Sequence, residues 1–353
     1  MAFDDIVAVN CNGSGGEDVR DPNATFSVFL YFRADTDASG VAMYVYCASC
    51  FVLSLVLNCL LIATVALSPK LHSPMYIHFL YLSVLNLLAS VSGLVFVLSA
   101  SAGRMRRIGV ASCLAQSFFV YFTTFSEVLA LGLMALDRYI AVCLPLRYPA
   151  LVTNRLTEKA ACGALVVCLA SALLVTLLSS RENLCADTLM GGVYCDVVAL
   201  SRFTCPRTMA TEIVVAVVSS ALLLPAIGCM VFSYVQILRV LCTPGYGESR
   251  SKAIRTCTTQ VMVFLLFYCT WSLAGIAPFL DPCFDPPFVH KLQVTAQILF
   301  VTLPPVLDPL VYGLRTKEVR VAVSRLIVRS GQYLFPQNRM LPRAATVTLS
   351  NPP

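Results

Sequence analysis

Two carboxylates sit where water is scarce. Asp308 lies in PPVLDPLVY, residues 304–312, closing a run, 292–307, that holds no other charge. Glu127 is the single charge within residues 108–136. An ionised acid in hydrocarbon costs several kcal/mol, so each needs a donor, a counterion or a proton. Two membrane acids are also what an intramembrane aspartyl hydrolase would use, but such an enzyme needs water access. The histidines, His72, His78 and His290, make no metal-ligand spacing. The expectation is therefore a protein that is not an enzyme.

The elements that must position these acids follow from composition. The 353 residues are 58% hydrophobic and 12% charged, with a mean hydropathy of +0.78. Ordinary globular domains carry about 25% charged residues. A polytopic membrane protein is the natural reading, and crossing a ~30 Å hydrocarbon layer takes about 20 apolar residues per helix. Residues 41–67, 76–102, 160–180, 213–238 and 256–280 carry no charge, 108–136 carry only Glu127, and 292–314 only Asp308. That makes seven spans, an all-α bundle.

An odd number of spans puts the termini on opposite sides. Of the 25 Lys and Arg residues, nine fall on the amino-terminal side and sixteen on the other, seven of these beyond residue 314. The positive-inside tendency makes the carboxyl terminus cytoplasmic, although Arg104, Arg106 and Arg107 run against it. Asn12-Gly13-Ser14 and Asn23-Ala24-Thr25 are glycosylation acceptor triplets in the amino-terminal segment. The first forty residues lack a basic start and an apolar core, so no cleaved signal peptide is expected. The net charge of +6 reflects this asymmetry rather than a nucleic-acid partner. Of 16 cysteines, six lie on the outer face: Cys11, Cys113, Cys185, Cys195, Cys205 and Cys283. An extracellular loop permits disulfides. A bond from Cys113 to the 185–205 loop would pin that loop over the third span, and the alternative is that some of these thiols are free.

At the end of the third span stands LMALDRYIAVCLPLRYP, residues 133–149. With LHSPMYIHFLYLSVLNLL at 71–88, SYVQI at 233–237, KAIRTC at 252–257, FY at 267–268 and PPVLDPLVYGLRTKEV at 304–319, it resembles the odorant receptors among the rhodopsin-type G-protein-coupled receptors. The likeness covers roughly residues 40 to 325. It implies a seven-helix receptor domain over 41–313, an extracellular segment over 1–40, a short cytoplasmic amphipathic eighth helix over 314–330 and a disordered tail over 331–353. It also implies that Asp137 holds Arg138 in a neutralising pair until activation frees the arginine for a G protein. Tyr139, Tyr234 and Tyr312 belong to this switch, and Tyr268 takes the place of the toggle aromatic. The long second extracellular loop of the family implies the pairings Cys113–Cys195 and Cys185–Cys205.

The family carries aspartate in the second helix and asparagine in the seventh. Here those places hold Asn86 and Asp308, so acid and amide have changed places. With Asn58 and Glu127 they make a polar cluster in an apolar bundle. Two facing acids without a cation share a proton, whereas a sodium ion between Glu127 and Asp308 would let both ionise. The alternative is a static polar plug that fixes helix packing. Pro309 removes a backbone donor beside this cluster and weakens the seventh helix.

On family grounds the ligand sits in the outer half of the bundle. Helical periodicity turns Val120, Tyr121 and Thr124 of the third span towards it, with Ser219 and Leu222 from the fifth, Trp271, Ser272 and Gly275 from the sixth and Ile298 from the seventh. Val120 replaces the acid that marks amine receptors, and a small, largely neutral organic ligand is expected. The basic stretch LRTKEVRVAVSRLIVRS, residues 314–330, suits the inner leaflet as a lipid partner. Departures from the family include Gln260 for a frequent histidine and Pro206-Arg207 where an acid is common. The expected function is ligand-driven activation of a stimulatory olfactory-type heterotrimeric G protein, raising cyclic AMP at the plasma membrane. The alternatives are a related receptor outside olfactory tissue, or a transporter, against which stands the lack of internal repeats.

Overall fold

A computed structural model describes residues 27–31, 38–94, 106–184, 188–191, 194–201, 203–204, 209–242, 247–276 and 286–334. Among the described residues seven long helices make the bundle: α1 (Ala38–Leu67), α2 (Pro74–Ala89), α3 (Val110–Cys143), α5 (Asn154–Ser179), α7 (Ala210–Cys242), α8 (Gly247–Ile276) and α9 (Pro286–Arg315). Two short helices, α4 (Tyr148–Leu151) and α6 (Val197–Ser201), lie in the connections, and α10 (Lys317–Leu334) follows the bundle. Six of the seven are each long and apolar enough to cross a membrane, and α8 carries the apolar stretch Val261–Leu273. At 30 residues α8 is about 45 Å long.

The helices overrun the charge-free runs because a backbone ladder does not stop where lipid does. α5 starts at Asn154, six residues before its apolar run, where the Thr153 side chain accepts from the Leu156 amide and caps the first turn. α3 continues past residue 136 to Cys143, carrying Asp137, Arg138 and Tyr139 on its final turns. α10 runs four residues into the segment read as tail. α2 begins on Pro74, whose missing N–H is harmless in a first turn, and ends in a π-helical turn, Ser90–Leu94. There Gly93 passes so close to α9 that an added Cβ would lie 2.5 Å from Val301 Cγ1.

α3 is the central pillar, packed against α7, α5 and α2, while α9 packs against α8 and α1. The main core joins Leu131, Met134 and Ala135 of α3 to Phe79 and Leu82 of α2, Met230 of α7, Phe267 of α8 and Phe300 and Tyr312 of α9. Side chains such as Val166, Leu173 and Leu177 on α5 and Val217 and Leu224 on α7 are exposed. In a membrane that apolar surface meets lipid.

Beside the helices lies a small sheet that no periodicity announces. β1 (Ser27–Tyr31) is its middle strand, antiparallel to β2 (Arg106–Gly109) and parallel to β3 (Thr188–Gly191). The segment before α1 thereby joins the α2–α3 and α5–α7 connections. The Cys113–Cys195 disulfide ties the same α5–α7 connection to the start of α3.

Candidate functional site

The polar cluster is assembled around a proline. Pro309 has no N–H to give its α-helical partner, the carbonyl of Pro305. Asn58 of α1 supplies the missing donor: its Nδ2 donates to the Pro305 oxygen at 2.8 Å and to the Ser54 carbonyl at 2.9 Å. Asn86 Nδ2 of α2 donates to Asp308 Oδ2 at 3.2 Å. Ser90 Oγ donates to the Asn86 carbonyl at 2.7 Å and so uses its one proton. Ser54 is then the donor in the 2.7 Å contact between the Ser54 and Ser90 hydroxyls. Asn58 and Asp308 are thus linked through the same small network, and both are buried.

Glu127 faces this network from α3, buried and within electrostatic reach of Asp308. Oε1 of Glu127, Oδ1 of Asp308, Oδ1 of Asn58 and the hydroxyls of Tyr268 and Tyr312 are buried without a hydrogen-bond partner among the described residues. An isolated orphan acceptor would cost about 1–3 kcal/mol. Five oxygens gathered in one region fit a shared proton or a hard cation better than a soft metal. Among the described residues no three His, Cys, Asp or Glu side chains converge on a metal position.

A cavity of about 30 Å³ opens on the same acid, lined by Ser92 and Gly93 of the π-turn, Val120, Thr123, Thr124 and Glu127 of α3 and Phe300, Val301 and Pro304 of α9, among others. It has room for a water or two rather than an organic molecule. Of the ligand contacts expected from the sequence, Val120 and Thr124 line it. Tyr121 instead donates to Asp196 Oδ1 at 3.0 Å. Ile298 packs with Cys47, Val294 and Tyr194. Trp271 packs on the main core, Ser219, Leu222 and Ser272 are half-buried, and Gly275 is described only by its place in α8.

The α5–α7 connection is held to the start of α3 at Cys195. Gln116 Oε1 accepts from the Cys195 amide at 3.0 Å and Ser117 Oγ donates to the Cys195 carbonyl at 2.7 Å. The disulfide and two hydrogen bonds hold one residue, so Tyr194 and Asp196 on either side are fixed as well. Tyr194 reaches both the main core and the α1–α9 contact. Burial and the nearby Asp196 carboxylate push its phenol above its ordinary value, so it stays protonated at neutral pH. Sequence reasoning named Cys195 but not Gln116, Ser117, Tyr194 or Asp196 as contacts, because nothing in their spacing shows what the loop touches.

At the opposite end Asp137 divides its oxygens between two partners. Tyr148 of α4 donates to Oδ1 at 2.9 Å, while Arg138 Nε lies 3.9 Å from Oδ2. The arginine is therefore loosely held. Burial and Asp137 keep the Tyr148 phenol above its ordinary value, as a donor. Tyr139 packs edge-on against Phe232 of α7 at 5.3 Å. Tyr312 stacks on Phe79 at 4.5 Å. Tyr234 packs beside Ile237, Leu241 and Cys257. The electrostatic field of Arg138 reaches both Tyr234 and Tyr312. Tyr268 sits on Phe264 with ring centres 4.0 Å apart.

Asn12, Asn23, Cys11, Cys185, Cys205, Cys283, Pro206 and Arg207 lie outside the described residues, as does the Gln260 side chain. The Cys185–Cys205 pairing therefore lies outside the described residues.

A sequence model described as olfactory receptor matches residues 46–330. Human olfactory receptor 2H2 is 33% identical over 285 residues, covering 81% of this chain and 89% of that protein. Human olfactory receptor 52P1 is 32% identical over 281 residues, 78% of this chain and 84% of its own length. Human olfactory receptor 13F1 is 29% identical over 290 residues, 82% and 89% of the two chains.

Proposed function

Because this chain belongs to the olfactory receptor family, we propose that it is an odorant receptor whose buried acid–amide network couples a small organic ligand at the disulfide end to Arg138 at the other. It is a multi-pass protein of the plasma membrane, with the amino terminus outside and α10 on the inner leaflet. A ligand that favours one packing of the bundle shifts its population. In the coupled state Arg138 leaves Asp137 and meets a stimulatory olfactory-type G protein, and cyclic AMP rises.

The observation that carries this reading is the continuity of polar contacts in the bundle's middle. Asn58 holds the proline-weakened turn of α9, and Asn86 holds Asp308 on that turn. Glu127 joins the network to the cavity below Val120. The residues also fit a proton or a sodium ion held by Glu127 and Asp308. A bound cation would let both acids ionise and would favour the packing that keeps them together.

The test is expression with an olfactory-type stimulatory G protein and a cyclic-AMP readout across an odorant panel. The expected result is ligand-dependent cyclic AMP in the wild type and none with Arg138→Ala at equal surface level. Solute flux without G-protein activation would replace the receptor with a transporter.

A further inference from the structure

One buried base beside the Arg138 pair has no part in the network described so far. His78 is on the second turn of α2, only 5% exposed. Its Nδ1 lies 3.1 Å from the Pro74 carbonyl. A carbonyl only accepts, so Nδ1 carries the hydrogen and Nε2 the lone pair. The tautomer is thereby fixed, with Nε2 left to take up a proton.

The surroundings define what that proton would do. α2 packs on α3, which brings Asp137 and Arg138 to bear electrostatically on the His78 ring. Asp137 is also bonded to Tyr148 of α4. On α5, which packs on α2 as well, Arg155, Glu158 and Lys159 are exposed, as are Lys70 and His72 ahead of α2. Glu318 of α10 acts on Tyr76, and α9 presents Tyr312 and Asp308 further along α2. Among these groups Asp137 is the buried carboxylate at this end, and its hold on Arg138 is already long at 3.9 Å.

We infer that His78 is a positioning residue of the arginine switch: its imidazolium draws Asp137 away from Arg138 and so favours the G-protein-binding state. The inference rests on the receptor reading above. Protonation attracts Asp137 and repels Arg138, and both effects separate the pair. The freed-arginine state leaves Asp137 to the imidazolium and binds the proton more tightly. By linkage, acid then favours that state, and G-protein binding draws a proton onto the receptor. The advantage is present below the pKa of His78 in the resting state and fades as pH rises through its value in the coupled state.

The test uses full-length receptor in nanodiscs with purified, nucleotide-free stimulatory G protein titrated at about pH 7.5 and about pH 6. Wild-type affinity should tighten about threefold beyond any change shared with His78→Gln and His78→Phe, within the tenfold per pH unit that one proton allows. The same pH ratio in all three proteins overturns the inference. Calorimetry in buffers of different ionisation enthalpy gives a second arm. Net proton uptake on binding that is reduced in His78→Gln supports His78, and zero uptake, release, or equal uptake in the two proteins overturns it. Absence of wild-type binding at either pH, with Arg138→Ala no different, counts instead against the receptor reading itself.

Discussion

Asn58 of α1 donates its side-chain amide to the carbonyl of Pro305 on α9 at 2.8 Å. That carbonyl is the one Pro309 leaves without a helical donor. A gap in one helix's hydrogen-bond ladder is thus filled by a side chain of another, and the two helices cannot shift apart without exposing it.

Asn58→Ala should therefore leave a buried carbonyl unpaired, costing about 1–3 kcal/mol. Thermal melting of the purified receptor should fall accordingly. Asn58→Asp should be no better, because an ionised carboxylate has no proton to donate. Melting equal to wild type in both variants would mean the Pro305 carbonyl needs no donor.

The Asn86–Asp308 bond makes the exchange of acid and amide testable. Asn86→Asp alone places a third acid in the cluster and removes the donor. Combining it with Asp308→Asn restores an amide facing a carboxylate with the roles reversed. Cyclic-AMP signalling should suffer more in the single variant than in the double one, at matched surface expression. Equal signalling from the two would refute the idea that the pair acts as a unit.

Gly93 offers a steric test. Gly93→Ala puts a methyl 2.5 Å from Val301 Cγ1, and a β-branched side chain has few rotamers in which to retreat. A loss of about 1–3 kcal/mol is expected. Adding Val301→Ala should recover most of the melting temperature, which separates crowding from any effect on helix propensity.

Tyr148 competes with Arg138 for Asp137. Removing its hydroxyl in Tyr148→Phe leaves Asp137 to draw the arginine closer. Basal cyclic AMP should fall about two- to tenfold, the range expected for one hydrogen bond. Asp137→Asn should raise it. A rise in both would show that Tyr148 holds the resting pair together rather than loosening it.

The spans were legible because lipid forbids charge, so the gaps between charged residues mark them. The cluster was legible because Asn58, Asn86, Glu127 and Asp308 each stand in a recognisable local string. The ends of α3 and α5 were not, since an intact backbone ladder and the Thr153 cap carry each helix into polar sequence. Neither was the role of Tyr148, which reads as an ordinary tyrosine in a basic loop until α4 folds back on Asp137. The sheet was hidden for a different reason. Its strands are four or five residues long, and a parallel pairing such as Val28 with Thr188 leaves no trace in local periodicity.

That sheet also imposes an order of events on biosynthesis. Its middle strand leaves the ribosome first, yet β3 emerges only after the chain for α1, α2, α3 and α5 has been made. Ser27–Tyr31 can pair with β2 once α1 and α2 have been made, but its other edge must wait open for β3, and its closure records that the first half of the molecule has been threaded correctly.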